Sequence, residues 1–239
     1  MVYKAQLKYD LSLEFLNQSL EACREDPESN LFNSAVILHN MALIYDLQGE
    51  YDLALNTLFN ILSMKNEVIH ENHIDTANVL VSIGMVYSHK GNYELALKYF
   101  KEVSEVYRLI LPPDHLLKAI VFQNMACVYL RNEKHELALK YCIDSLNIRK
   151  NLLPQTHPDI AQNLNTIAHI YFESGNYAEA IVQCNEAMKI YKISELPNNH
   201  PDILNCNHLF ERLKSYVKLI DKERLFKKNK NSSKTCQLL

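Results

Sequence analysis

Tryptophan is absent from this chain of 239 residues, and glycine occurs only four times and proline seven, so turns are scarce. No basic N-terminal stretch precedes an apolar core, and no uninterrupted apolar run reaches spanning length, which argues against secretion and membrane insertion. The six cysteines (Cys23, Cys127, Cys142, Cys184, Cys206, Cys236) are scattered without a C-x-x-C pair, as in a reduced intracellular protein. Neither G-x-x-x-x-G-K-[ST] nor G-x-G-x-x-G occurs, which excludes the common nucleotide cradles. Charged residues are only 22%, too few for disorder, while 48% hydrophobic residues and a formal charge of −3 suit a buried core in one domain or two small ones. A soluble, helix-rich cytosolic protein is expected.

What the chain does have is a repeat. Shifted by 42 residues, Tyr3, Tyr45, Tyr87, Tyr129 and Tyr171 superpose. Nine residues later stand Ser12, Ala54, Ala96, Ala138 and Ala180, always small, followed by Leu13, Leu55, Leu97, Leu139 and Ile181. A register held over four periods without insertion means a solenoid. Each period holds two helices. Leu38, Met41, Ala42 and Tyr45 recur at i, i+3, i+4 and i+7, an amphipathic stripe repeated as Leu80, Ile83, Gly84, Tyr87, then Phe122, Met125, Ala126, Tyr129, then Leu164, Ile167, Ala168, Tyr171. A second stripe (Tyr51, Ala54, Leu55, Leu58, Leu62) follows a short turn. The small residues let two helices approach, and Tyr or Leu opposite fills the gap.

Every glycine has an architectural post. Gly49, Gly91 and Gly175 share the turn position, where a left-handed backbone ends the first helix, and Glu133 takes that place once, which should strain or lengthen its turn. Gly84 holds the small contact of the first helix. Pro112, Pro154 and Pro197 lie in linkers, Pro158 and Pro201 open the next helix, and His73, His115, His157 and His200 precede or cap those helices.

Small-x-x-Tyr in the first helix, Gly-x-Tyr at the turn and Ala in the second helix resemble tetratricopeptide repeats. The long period, the linker Leu153–Pro154–Gln155–Thr156–His157–Pro158–Asp159–Ile160 and the run Asn163–Leu164–Asn165–Thr166–Ile167–Ala168 resemble the kinesin light chain type. The resemblance covers roughly residues 1 to 203 and implies an all-α, right-handed superhelical solenoid of antiparallel helix pairs. The expected layout is a truncated first repeat over 1–30 (the end of one helix, then a second helix over 8–23), four full repeats (31–72, 73–114, 115–156, 157–200), a capping helix over 201–226 and a basic flexible tail over 227–239. The apolar stripe of residues 8–23 (Leu11, Phe15, Leu16, Leu20) lacks its usual cover. Neighbouring repeats of a longer solenoid are expected there, or else a partner or a second copy. Leu204, Leu209, Phe210, Leu213, Tyr216, Val217 and Ile220 should form the buried face of the cap.

The resemblance further implies an extended peptide on the concave side, lined by the first helices. Two residues before each small residue stand Asn40, Ser82, Asn124 and Thr166, a ladder of groups that both donate and accept hydrogen bonds. Neighbouring candidates are His39, Asn78, Gln123, Asn165, Arg131 and His169. Ahead of Lys222 the chain carries 19 Lys and Arg against 27 Asp and Glu, so carboxylate-rich ligands and nucleic acid should be steered away.

Other patterns mislead. His70–Glu71–Asn72–His73 is one residue short of a zinc box, and the periodic histidines lie about 10 Å apart, too far to share a metal. No cofactor and no metal is expected. Cys142 and Cys184 share the repeat position of Leu58 and Phe100 and read as small core fillers. From Lys222 on there are six cations against Glu223 alone, and the chain ends Cys236–Gln237–Leu238–Leu239, a C-a-a-X arrangement that would make Cys236 a prenylation site. A lipid beside a polybasic stretch can hold a protein at a membrane.

These readings converge on a non-catalytic adaptor binding an extended peptide of a protein partner, with motor–cargo attachment as the role the resemblance implies. The alternatives are a membrane-tethered adaptor prenylated at Cys236 and a repeat fragment of a larger multidomain enzyme. The expected location is the cytoplasm, at microtubules if the motor role holds and at a membrane only if Cys236 is prenylated.

Overall fold

The computed structural model describes residues 2–24, 27–66, 74–194, 196–216 and 218. Among them the only regular structure is helix: α1 (Val2–Arg24), α2 (Pro27–Gln48), α3 (Tyr51–Asn66), α4 (Ile74–His89), α5 (Tyr93–Ile110), α6 (Leu116–Arg131), α7 (His135–Leu152), α8 (Pro158–Glu173), α9 (Tyr177–Ile193) and α10 over 201–216. The protein is thus an all-α solenoid of helix pairs. From α3 to α9 the odd-numbered helices begin at 51, 93, 135 and 177, the spacing of 42 expected from the sequence. Two compact units divide the chain, Met1–Val128 and Tyr129–Leu239. In the first, α1 packs on α2, α2 on α3, α3 on α4 and α4 on α5, and α2 also touches α4. In the second, α7 packs on α8 and α8 on α9.

The turns inside the pairs share one hydrogen-bond pattern. Gly49 N–H donates to the Asp46 carbonyl (3.0 Å) and Glu50 N–H to the Tyr45 carbonyl (2.8 Å). The same two bonds recur at Gly91/Asn92 and Gly175/Asn176. This is a Schellman ending, and it requires positive φ at its central residue. The three glycines have φ of 80°, 84° and 80°. Glu133 adopts φ 56°, and the turn keeps both bonds, from Glu133 N–H to the Leu130 carbonyl and from Lys134 N–H to the Tyr129 carbonyl. The turn is therefore strained rather than lengthened, because closing the same ring matters more than the left-handed penalty of a side chain.

Small residues sit where helices meet. Ala54, Ala96, Ala138 and Ala180 are fully buried. At Gly84 an added Cβ would stand 2.7 Å from the Phe100 ring. The largest ring of its repeat column thus occupies the space left by the smallest residue of the opposing column. At the helix starts, the Nδ1 atoms of His115, His157 and His200 accept from the backbone N–H two residues on, at 3.2 to 3.3 Å. His73 lies outside the described residues.

Three expectations are corrected. α1 is one unbroken helix over Val2–Arg24 rather than a helix end plus a second helix, since Leu7 stands where the later repeats have a turn residue. α2 begins at Pro27, within the segment assigned to the first repeat. On α10 the buried face is Cys206, Leu209 and Leu213, whereas Leu204 is exposed. Tyr216 is exposed as well, although its ring stacks on Tyr177 (5.2 Å) and meets Phe172 edge-on (5.3 Å). Val217 and Ile220 lie outside the described side chains.

Candidate functional site

In the first unit, α2 and α4 are held together at two levels. His39 Nε2 lies 2.7 Å from Ser82 Oγ, and that hydroxyl donates to the Asn78 carbonyl (3.2 Å). Two helical turns along, His89 Nδ1 meets the buried Asp46 carboxylate at 2.8 Å. Asn78 accepts at its side-chain oxygen from the Tyr107 hydroxyl (3.0 Å), and burial pushes the Tyr107 pKa up.

Between α2, α3 and α4 lies an open crevice of about 150 Å³ lined by Phe32, Val36, His39, Ile61, Asn78 and Val79, among others. It brings together two predicted residues, His39 and Asn78, with apolar side chains that the sequence reading missed. Phe32 is 61% exposed and Val36 45%. Together with Leu43 and Leu47, also exposed, they form a second apolar stripe on α2, at i, i+4, i+11 and i+15. The signal was present: α2 is apolar on more than one face, which a single stripe does not explain.

The polar ladder is uneven. Asn40 is exposed and Asn124 half-buried. Ser82 is buried and committed to His39 and Asn78, and the Thr166 hydroxyl donates to the Gln162 carbonyl (3.0 Å). Gln123 and Asn165 are buried rather than presented to a groove. Gln123 reaches the Cys127 sulfur at 3.9 Å, whereas the side-chain oxygen of Asn165 has no hydrogen-bond partner.

In the second unit the predicted residues have different surroundings. Arg131 is exposed at the end of α6. His169 is largely enclosed, and burial, with Arg212 next in weight, holds its pKa below the usual 6.5. Arg212 itself lies over the Phe172 ring (4.4 Å) and 3.9 Å from Glu173.

The sequence reading also missed a buried polar network in this unit. Arg149, 4% exposed, donates through Nη1 to the side-chain oxygen of Asn163 (2.5 Å) and to the Asp159 carbonyl (2.8 Å). Asn163 in turn donates to the Cys142 carbonyl (3.3 Å). A buried guanidinium is tolerated because its donors meet oxygens.

Among the described residues no group of three or more His, Cys, Asp or Glu could hold a metal ion, and no helix is long and apolar enough to cross a membrane. His70–His73 and Cys236 lie outside the described residues, as does the basic tail.

The tetratricopeptide repeat profile matches residues 1–58, 75–151 and 128–193. No curated protein sequence is significantly similar to the chain. Among solved structures it is similar to BtubC (BKLC) from P. vanneervenii, with TM-score 0.66 and 19% identity over 81% of this chain and 78% of that one. It is also similar to the "Podosopora anserina putative kinesin light chain nearly identical TPR-like repeats", with TM-score 0.63 and 18% identity over 80% of this chain and 90% of that one. At such identities the likeness concerns the fold alone. The profile spans most of the repeats seen in the helices, and the chain belongs to the tetratricopeptide repeat family.

Proposed function

We propose that the chain is a non-catalytic scaffold that holds an extended segment of a partner protein against the first helices of its repeats. Tetratricopeptide repeats bind protein partners. The narrower reading is that a bulky apolar side chain of that segment seats in the crevice between α2 and α4. The observation that carries it is the pairing of exposed Phe32 and Val36 with His39 and Asn78 around about 150 Å³ of open space. Apolar walls supply affinity, and the polar groups beside them orient a peptide backbone. Motor–cargo attachment is a narrower role still, supported by the kinesin light chain type of linker around Pro154 and His157.

The test uses peptides selected from a random display library on the full chain. Val36→Lys and Phe32→Ser change exposed side chains and should leave the helical signal intact, while weakening the selected peptides by about tenfold or more in titration calorimetry. Asn40→Ala should weaken them less. Unchanged affinity in Val36→Lys moves the site away from the crevice.

A further inference from the structure

Where α9 meets α10, the sulfur atoms of Cys184 and Cys206 lie 3.7 Å apart, and each is within 3.6 to 3.8 Å of the other residue's carbonyl oxygen. Both are fully buried and both are free thiols. The reciprocal sulfur-to-carbonyl contacts mean that the two backbones cross closely, as a disulfide requires. One repeat earlier the same crossing is made by Cys142 and Asn163, with the Cys142 sulfur 3.5 Å from the Asn163 carbonyl. There Arg149 reaches in and bonds to Asn163. In the last repeat Cys206 takes the place of Asn163, and Tyr191 takes the place of Arg149. The Tyr191 hydroxyl is buried without a hydrogen-bond partner. Beside it opens a crevice of about 140 Å³ lined by Met188, Tyr191, Lys192, Ile203, Cys206 and Asn207, among others. The repeat position that one repeat earlier holds a polar network here holds two thiols, an idle hydroxyl and a way in.

We propose that Cys184 and Cys206 are an oxidisable dithiol that takes hydrogen peroxide through this crevice and closes into an intrachain disulfide fastening α10 to α9. Neither sulfur is exposed at the floor of the crevice, so a peroxide of nearly water size can reach them where a glutathione-sized oxidant cannot. The Cys206 thiolate attacks one peroxide oxygen, the O–O bond breaks, and the departing hydroxide takes a proton and leaves as water, with the Tyr191 hydroxyl donating a hydrogen bond to it. The Cys184 sulfur then attacks the sulfenic acid at Cys206, the S–S bond forms, and a second water departs. Two thiols thus lose two electrons and two protons to one peroxide. Hydrogen bonding from Cys206 holds the Cys184 thiol below its usual range against the opposing pull of burial, while the same contact and burial push the Cys206 thiol up, so the charge rests on Cys184 and Cys206 reacts as a thiolate only after its proton has passed across their contact.

The full chain is treated with equimolar hydrogen peroxide, then unfolded and alkylated. The expected result is an intact mass lower by two hydrogen atoms, with a cross-linked pair of peptides containing Cys184 and Cys206. Cys142, buried at the same repeat position, should stay reduced as the internal control. Tm should rise by several degrees and fall back with dithiothreitol. Tyr191→Phe keeps the ring and should slow the reaction about tenfold. Oxidised glutathione should give neither the cross-link nor a mixed disulfide. Full alkylation of both residues after peroxide, or arrest at a sulfinic acid on Cys206, overturns the proposal, and wild-type protein alone decides it.

Discussion

The two units solve the same packing problem with different chemistry. Where a second helix meets the next first helix, the first unit places Leu58 and Val79, then Phe100 and Val121, all buried and apolar. The second unit places Cys142 and Asn163, then Cys184 and Cys206, with Arg149 or Tyr191 alongside. The outer surfaces differ in the opposite sense. The first unit exposes Phe32, Val36, Leu43 and Leu47 on α2, whereas in the second the same columns hold Pro158, Gln162, His169 and Glu173. A repeat constrains the helix positions and leaves the chemistry of each contact free, so one unit can specialise in an apolar surface and the other in polar joints.

The largest effect expected is at the polar joint. Asn163→Leu leaves the Arg149 guanidinium buried without its closest acceptor and should destabilise the protein by about 3 kcal/mol in urea unfolding. Combining Arg149→Leu with Asn163→Val converts the joint to the apolar type of the first unit and should recover most of that loss. If the double variant is as unstable as the single one, the two chemistries are not interchangeable.

Next comes the apolar joint. Gly84→Ala drives a Cβ to 2.7 Å from the Phe100 ring and should cost about 1–3 kcal/mol. Adding Phe100→Leu reproduces the pairing of the preceding repeat, Ala42 with Leu58, and should partly restore the thermal midpoint.

The turn offers a smaller gain. Glu133→Gly relieves the left-handed side chain and should stabilise the protein by about 1 kcal/mol, since the penalty removed slightly exceeds the added freedom of the unfolded chain. Gly175→Ala, at the equivalent turn, should do the reverse, and equal effects of one sign would contradict a shared geometry.

The smallest effect is pH-dependent and confined to the second unit. His169 has a folded pKa below its unfolded 6.5, so the unfolded chain takes up the proton first as pH falls. Its contribution is fully present above 6.5 and is lost as pH falls from there towards the folded value. His169→Gln should flatten part of the stability slope between pH 7.5 and 5.5. In the first unit the same column holds Leu43, Met85 and Cys127, and no histidine.

The periodic tyrosines, alanines and turn glycines made the helix pairs legible in the sequence, because the period reports which side chains must face a neighbour. The candidate site was less legible. His39 and Asn78 were found by helix phase, but Phe32 and Val36 were passed over because a tally of polar positions ignores exposed apolar ones. Ser82, Gln123 and Asn165 were placed on the open side although all three are buried.

Local spacing therefore determined the fold by itself: helix periodicity and left-handed turns depend on residues a few positions apart. The meeting of Cys184 with Cys206, of Arg149 with Asn163, and of Phe32 with Asn78 was decided only in three dimensions. Each of these meetings, in contact or around one crevice, joins different helices, and which residue faces which depends on the depth and angle at which the helices pack.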